Sequence, residues 1–212
     1  MNYLFIDTAE GTRTLLKLGA EERYFYDENM ARSGSETLMP MIDGLLTEAG
    51  VRLSDIDVFG ACVGPGSFTG LRIGLTTVKT FCYALGKKCF GVNNLRLNSY
   101  NNDNGKVVSV ADAGNKVCYI AAFDGESETV PTKCVSADDA QRIVSELTAD
   151  GYALSTDVKL STLAEKFGGK SGIGENEMRI AAEKFAANAV DQIEIEPLYV
   201  RKAQPERGEG DL

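Results

Sequence analysis

The chain has 212 residues, 43% of them apolar and 25% charged, which suffices to bury one large core or two smaller ones. Its formal net charge is -9 with no basic cluster, which argues against a protein that grips RNA or DNA by itself, because phosphate contacts supply most of that affinity. It contains no histidine, and this excludes every metal site or catalytic set that needs imidazole.

In chain order, residues 2–9 and 12–19 read as strands joined by the turn Glu10-Gly11, and residues 22–30 as a third strand. From Ser35 the pattern turns helical: Leu38, Ile42, Leu45 and Ala49 follow steps of four, three and four, and Gly50 ends the run. Pro40 fits only the first turns of a helix, which predicts a bent or late start. Residues 57–64 form a buried strand, 67–85 a long helix and 88–94 another strand, with a short helix or loop through Tyr100. The turn cluster at residues 101–105 marks a boundary, so the expected domains are 1–102, 103–192 and a C-terminal segment, 193–212, that returns toward the first lobe and ends in a frayed tail.

Beyond it come strands at 106–113, 117–124 and, more weakly, 129–135, then a helix at 136–147 capped by Ser136 with Asp138 and Asp139 in its first turn. A strand at 152–156 and a helix at 175–190 follow. Three strands, helix, strand, helix thus occurs twice, the second time in shorter form. That order predicts an α/β fold with mixed sheets, built by duplication.

Several stretches could carry chemistry. In "GPGSFTG", Pro65 fixes one backbone angle, Gly64 and Gly66 allow angles closed to other residues, and Ser67 can cap the helix behind it. Two readings stay open: a structural turn, or a phosphate contact through Gly64, Gly66 and Ser67 at a helix start. The spacing fits neither a Walker loop nor a dinucleotide fingerprint. In the helix, Leu71, Leu75, Val78, Cys82 and Leu85 form a core stripe, while Gly70, Gly74 and Thr77 leave a second face bare. Each helical glycine costs about 1 kcal/mol relative to alanine, so that face has a use: close approach by a neighbour in the same lobe or in a second chain.

The helix from Ser35 carries Leu38, Met39, Met41, Ile42, Leu45 and Leu46, a wider apolar spread than one core stripe needs. The two helices together are expected to form a pairing surface with candidates Leu38, Met41, Ile42, Leu45, Gly70, Arg72, Gly74 and Leu75. Helical spacing leaves open which leucines face the partner and which the core, and Gly74→Leu is expected to abolish pairing but spare the monomer. Asp7 and Thr8 end the first strand, and Asp112 ends the matching strand of the second lobe. Such carboxylates either cap turns or hold a metal near phosphates. Five scattered cysteines (Cys62, Cys82, Cys89, Cys118, Cys134) read as reduced, mostly buried thiols. With neither a signal-peptide pattern nor an apolar run of the roughly 20 residues that span a bilayer, the chain is expected in the cytoplasm.

The stretch "GPGSFTGLRIG" (64–74), together with "FIDTA", "SETLMPMID" (35–43), "GVNNL" (91–95), "VADAGNKVCYIAAF" and "PLYVR" (197–201), resembles the bacterial TsaB family, also called YeaZ. The resemblance implies the actin-like ATPase fold, with two ribonuclease-H-like lobes of which the second is reduced. It also implies a non-catalytic scaffold role in transferring a threonylcarbamoyl group to the adenosine next to the tRNA anticodon. Implied partners are the catalytic subunit TsaD, met through two helices from each subunit, and the ATPase TsaE; a homodimer forms on the same surface when TsaD is absent. Direct nucleic-acid or membrane binding is not expected. Nor is a cofactor, the alternative being a Mg-nucleotide at the subunit interface. The chain departs from the family at Gly34, where the family often has histidine. The rival reading is an independent Mg-ATP-dependent small-molecule kinase or hydrolase using Asp7 and Asp112.

Overall fold

The N-terminal hairpin sets the register of everything around it. In a computed structural model, which describes residues 1–20, 22–30, 34–103 and 105–201, β1 (Tyr3–Asp7) and β2 (Thr12–Leu18) pair antiparallel, with Tyr3 opposite Lys17 and Asp7 opposite Arg13. β3 (Arg23–Asn29) extends the hairpin along β2. The chain then crosses over through α1 (Gly34–Ala49) to β4 (Val58–Gly64), and through α2 (Phe68–Leu85) to β5 (Lys88–Asn93), both strands running parallel to β1. The sheet order is β3-β2-β1-β4-β5.

On one face of this sheet Leu4, Ile6, Leu16, Leu18, Phe59 and Ala61 pack against Leu38, Ile42 and Leu45 of α1 and Leu75, Val78 and Cys82 of α2. Fully burying a side chain of this size contributes about 1.5–3 kcal/mol, so this layer supplies most of what holds the two helices down. Pro40 does not delay α1, which runs from Gly34 with the proline inside it. The reason is local: Glu36, whose carbonyl loses its N–H partner, and Pro40 itself are both exposed, so water can take the missing bond.

The second unit repeats the plan. β6 (Lys106–Asp112), β7 (Val117–Asp124) and β8 (Ser127–Ser136) form an antiparallel meander, and β9 (Ala153–Thr156) and β10 (Lys170–Ser171) join parallel to β6, in the order β10-β9-β6-β7-β8. Numbered within each unit, both sheets read 3-2-1-4-5, the ribonuclease-H-type order expected of an actin-like fold. The connecting helices are α3 (Asn94–Ser99), which leads from the first sheet into the second unit, then α4 (Ala137–Ala149) and α5 (Ser161–Lys166). The reduction of this unit lies in element length, for β10 has two residues and β9 four. Sequence reading passed over α5 and β10 because neither is long enough to show a period.

The units are Met1–Asn94 with Met178–Leu198, and Leu95–Glu177 with Tyr199 onward. The division therefore falls at Asn94 rather than in the 101–105 turn, and most of α6 (Glu175–Phe185), expected in the second lobe, belongs to the first. Side chains explain this: Tyr24 Oη donates to Glu183 Oε1 at 2.6 Å, and Arg179 lies over the Tyr24 ring. The helix gives way to a 3-10 turn, Ala186–Asn188, short of the expected residue 190. Val190 then pairs with Cys89 on the outer edge of β5, Ile195 enters the core, and Leu198 N–H donates to Val63 O at 2.7 Å, at the position the β4–β5 ladder skips. This strap covers an edge that would otherwise offer itself to other strands. Residues 202–212, expected to fray, and Asn104 lie outside the described residues.

Because Leu45 is 4% exposed and packs into the main core, Leu45→Ala is expected to cost about 2–5 kcal/mol, read as a lowered denaturation midpoint with an unchanged slope.

Candidate functional site

The strand-end corner of the first unit is built around Thr8. Its hydroxyl donates to the carbonyl of Gly70 at 2.7 Å, one turn into α2. A methyl group added at Gly70 would collide with the Thr8 carbonyl, and one at Gly74 with the Thr8 hydroxyl. At Gly66 it would meet Ala9 at 2.8 Å, and Ser67 N–H donates to Ala9 O at 2.8 Å. Gly64 has φ +110°, closed to other residues, and leaves room for the carbonyl of Leu198. Ser67 caps α2 as its sequence suggests, accepting from Gly70 N–H at 3.2 Å. Of the two readings of "GPGSFTG", this geometry supports the structural one: Ser67 N–H is given to Ala9, and the bare backbone of Gly66, Gly70 and Gly74 lies against Thr8 and Ala9. The Gly70–Gly74 face is likewise filled from within the chain.

Asp7 sits in the same corner and is fully buried. Its Oδ1 accepts from Ala9 N–H at 2.9 Å, and its Oδ2 accepts from Arg13 at 2.7 Å. Arg13, 1% exposed, also faces Glu10 at 3.9 Å. Burial works against its charge, yet Asp7 and then Glu10 outweigh burial and hold the guanidinium above its ordinary range. Burial, helped by Asp7, pushes the neighbouring Cys62 thiol well up and keeps it protonated. Asn94 closes the corner, donating to Pro65 O at 3.1 Å and Glu10 Oε1 at 3.3 Å. A metal bound to Asp7, as an actin-like ATPase would need, does not fit this arrangement, because both carboxylate oxygens are already engaged and no solvent reaches them.

Asp112 has a different setting in the second unit. Its side chain is partly exposed, accepts from Gly114 N–H at 3.1 Å and lies 3.9 Å from Lys159. Its own N–H donates to Asp157 Oδ2 at 2.6 Å. Asp157 is buried, and this raises its pKa against the pull of two backbone hydrogen bonds. Asp112 thus shapes the β6–β7 turn, where Gly114, Asn115 and Lys116 all have positive φ.

On the two helices, Leu38, Met41, Ile42, Leu45, Gly74 and Leu75 are all buried within the chain, so the expected pairing surface does not present them. Arg72 is exposed, and Gly70 is partly so but lies against Thr8. The side chains that do face outward include Met39, Asp43, Phe68, Thr76 and Tyr83, the last 81% exposed. Tyr83 was not singled out from the sequence, although an aromatic next to Cys82 falls off the core stripe. Arg13 was missed, although the Glu10-Gly11 turn sets it opposite Asp7. The five cysteines are reduced thiols, four of them buried. No helix among the described residues is long and apolar enough to cross a membrane.

Gly74→Leu, expected to spare the monomer, would drive a branched side chain into Thr8. Even Gly74→Ala should cost about 1–3 kcal/mol. Combining it with Thr8→Ala should cost less than the sum of the two single changes, a coupling that a double-mutant cycle of unfolding free energies would read directly.

Crystal structures from Pseudomonas aeruginosa share this fold. One, described as an uncharacterized protein with similarity to peptidase YeaZ, superposes with a TM-score of 0.76 at 22% identity, covering 94% of this chain and 99% of that one. YeaZ itself superposes with a TM-score of 0.72 at 20% identity, over 93% and 99% of the two chains. In sequence, the tRNA N6-adenosine threonylcarbamoyltransferase of Sphingopyxis alaskensis is 40% identical over 68 residues, 32% of this chain and 20% of that protein. The same enzyme from Rhizobium meliloti is 44% identical over 68 residues, 32% and 19% of the two chains. The match thus spans about a fifth of these curated relatives. The family model for TsaD, tRNA N6-adenosine threonylcarbamoyltransferase, matches residues 26–194, well over half of the chain, and the protein belongs to that family.

Proposed function

We propose that this chain is a non-catalytic subunit of the assembly that transfers a threonylcarbamoyl group to the adenosine next to the tRNA anticodon, and that it pairs with a catalytic TsaD subunit through the outward face of α1 and α2. The observation that carries this reading is the composition of that face. Met39 is 52% exposed, Phe68 36% and Tyr83 81%, all on helices whose inner faces are already committed to the core. The Arg72 guanidinium lies 3.9 Å from the Phe68 ring centroid. Aromatic and arginine side chains of this kind are the usual anchors of protein interfaces.

Charge adds direction. α1 carries Glu36, Asp43 and Glu48 and no basic residue, whereas α2 carries Arg72 and Lys79 and no acidic one. A partner offering a similar helix pair can lay its acidic helix on α2 and its basic helix on α1. A second copy of this chain meets the same condition, which supports a homodimer when TsaD is absent. A TsaE-like ATPase would join the TsaD pair. Two features support a non-catalytic role: the sequence lacks histidine, and Asp7 is consumed by Arg13. The cytoplasm, where tRNA is modified, is the matching compartment. The rival reading, a Mg-ATP enzyme built on Asp7 and Asp112, is disfavoured by that same ion pair.

The test is titration of the purified chain with TsaD by size exclusion and calorimetry, with tRNA nucleosides analysed after reconstitution. Arg72→Glu and Tyr83→Asp, both at exposed positions, should leave the melting temperature unchanged and weaken pairing at least about tenfold, some 1.4 kcal/mol. Modification should fall with pairing. An unaltered complex in both variants would remove the outward face of α2 from the interface and with it the proposed two-helix surface.

A further inference from the structure

We propose that Arg13 is a built-in counter-ion that takes the place of a metal at the end of β1, closing this corner to divalent cations. Asp7 and Glu10 bring two carboxylates to one place beneath the protein surface, with side-chain exposures of 0% and 10%. Two negative charges so poorly hydrated need a cation held close. A metal ion from solvent is one solution, and a cation carried on the neighbouring strand is another. This chain uses the second: Arg13 stands opposite Asp7 in the hairpin register, reaches Asp7 Oδ2 at 2.7 Å and faces Glu10 at 3.9 Å.

The guanidinium suits the task because it stays charged at every working pH and cannot dissociate into solvent. The charge of the corner is therefore independent of metal supply. The fit is imperfect in one respect, since Arg13 Nε is buried without a hydrogen-bond partner, and so is Asn94 Oδ1 nearby. The ion pair accordingly serves charge balance first and full hydrogen bonding second. With the guanidinium removed, the corner keeps the Asp7 and Glu10 carboxylates that faced it, oxygen donors of the kind that Mg²⁺, Mn²⁺ or Ca²⁺ take. The inference holds whether or not the chain pairs with TsaD.

The experiment compares the wild type, Arg13→Met, Asp7→Asn and the double variant. Thermal unfolding is followed with and without millimolar MnCl₂, and Mn²⁺ binding is followed by electron paramagnetic resonance. The wild type should bind no Mn²⁺ that Asp7→Asn abolishes, and its melting temperature should not respond to the ion. Arg13→Met should melt lower and recover by several degrees in MnCl₂. The double variant should lose that metal response and melt above Arg13→Met, because the fully buried Asp7 charge is gone and only the less buried Glu10 carboxylate is left without its cation. Asp7-dependent Mn²⁺ binding by the wild type would overturn the proposal, and this arm needs no variant with impaired folding other than the Asp7→Asn control. So would an Arg13→Met protein whose defect neither MnCl₂ nor Asp7→Asn relieves.

Discussion

The closeness of α2 to the end of β1 is the constraint on which the first unit depends. Thr8 donates its hydroxyl to a helix carbonyl and lies against two glycines that have no side chain to hold it off. This contact fixes both the height of the helix over the sheet and its rotation. Once the Gly70–Gly74 edge rests on Thr8, Leu71, Leu75, Val78 and Cys82 must point into the core, and Arg72, Thr76 and Tyr83 must point out. Two glycines inside a helix cost about 2 kcal/mol in propensity. That cost is offset by a half-buried hydrogen bond and by the close packing it permits. The face offered to any partner is thus what remains after the chain has used α2 for itself.

The duplicated plan allows the two strand ends to be compared directly. Both sheets place an aspartate at the end of their first strand, at Asp7 and at Asp112. In the first unit that carboxylate is dry and pinned by an arginine from β2. In the second it is partly wet, tied to its own turn, and only loosely near Lys159, while the buried carboxylate is Asp157 after β9. The same backbone order therefore carries two electrostatic solutions, and neither could be read from strand order alone. The side chain across the hairpin decides: Arg13 stands opposite Asp7, whereas Cys118 stands opposite Asp112.

How much of this was legible follows from what kind of signal each feature leaves. The strands, the long helices, the Ser67 and Ser136 caps and the duplication all leave local or periodic marks, and the structure has them. The domain division was misplaced because a polar turn, residues 101–105, is a stronger sequence mark than the contacts that actually bind α6 to the first sheet through Tyr24 and Glu183. Which leucines of the two helices face a partner and which the core stays open at the level of sequence for a related reason. A leucine at helical spacing says that one face is apolar, not which neighbour it meets, and Leu38, Ile42 and Leu45 turned out to meet their own sheet. Bare glycine faces carry the same ambiguity.

That ambiguity also explains why "GPGSFTGLRIG" invites two incompatible readings. A glycine-rich turn before a helix suits a phosphate because it exposes backbone N–H groups, and it suits a close-packed strand end because it removes side chains. The two uses exclude each other at one place, for an N–H bonded to protein is lost to a ligand. Here Ser67 N–H is given to Ala9, Gly70 N–H to Ser67 and Leu71 N–H to the Ser67 carbonyl. These three donors are spent on holding the strand end, α2 and the turn together. What it exports is the position of Phe68 and Arg72 just beyond the cap, so the pattern is best understood as a mount for an exposed aromatic–arginine pair rather than as a cradle.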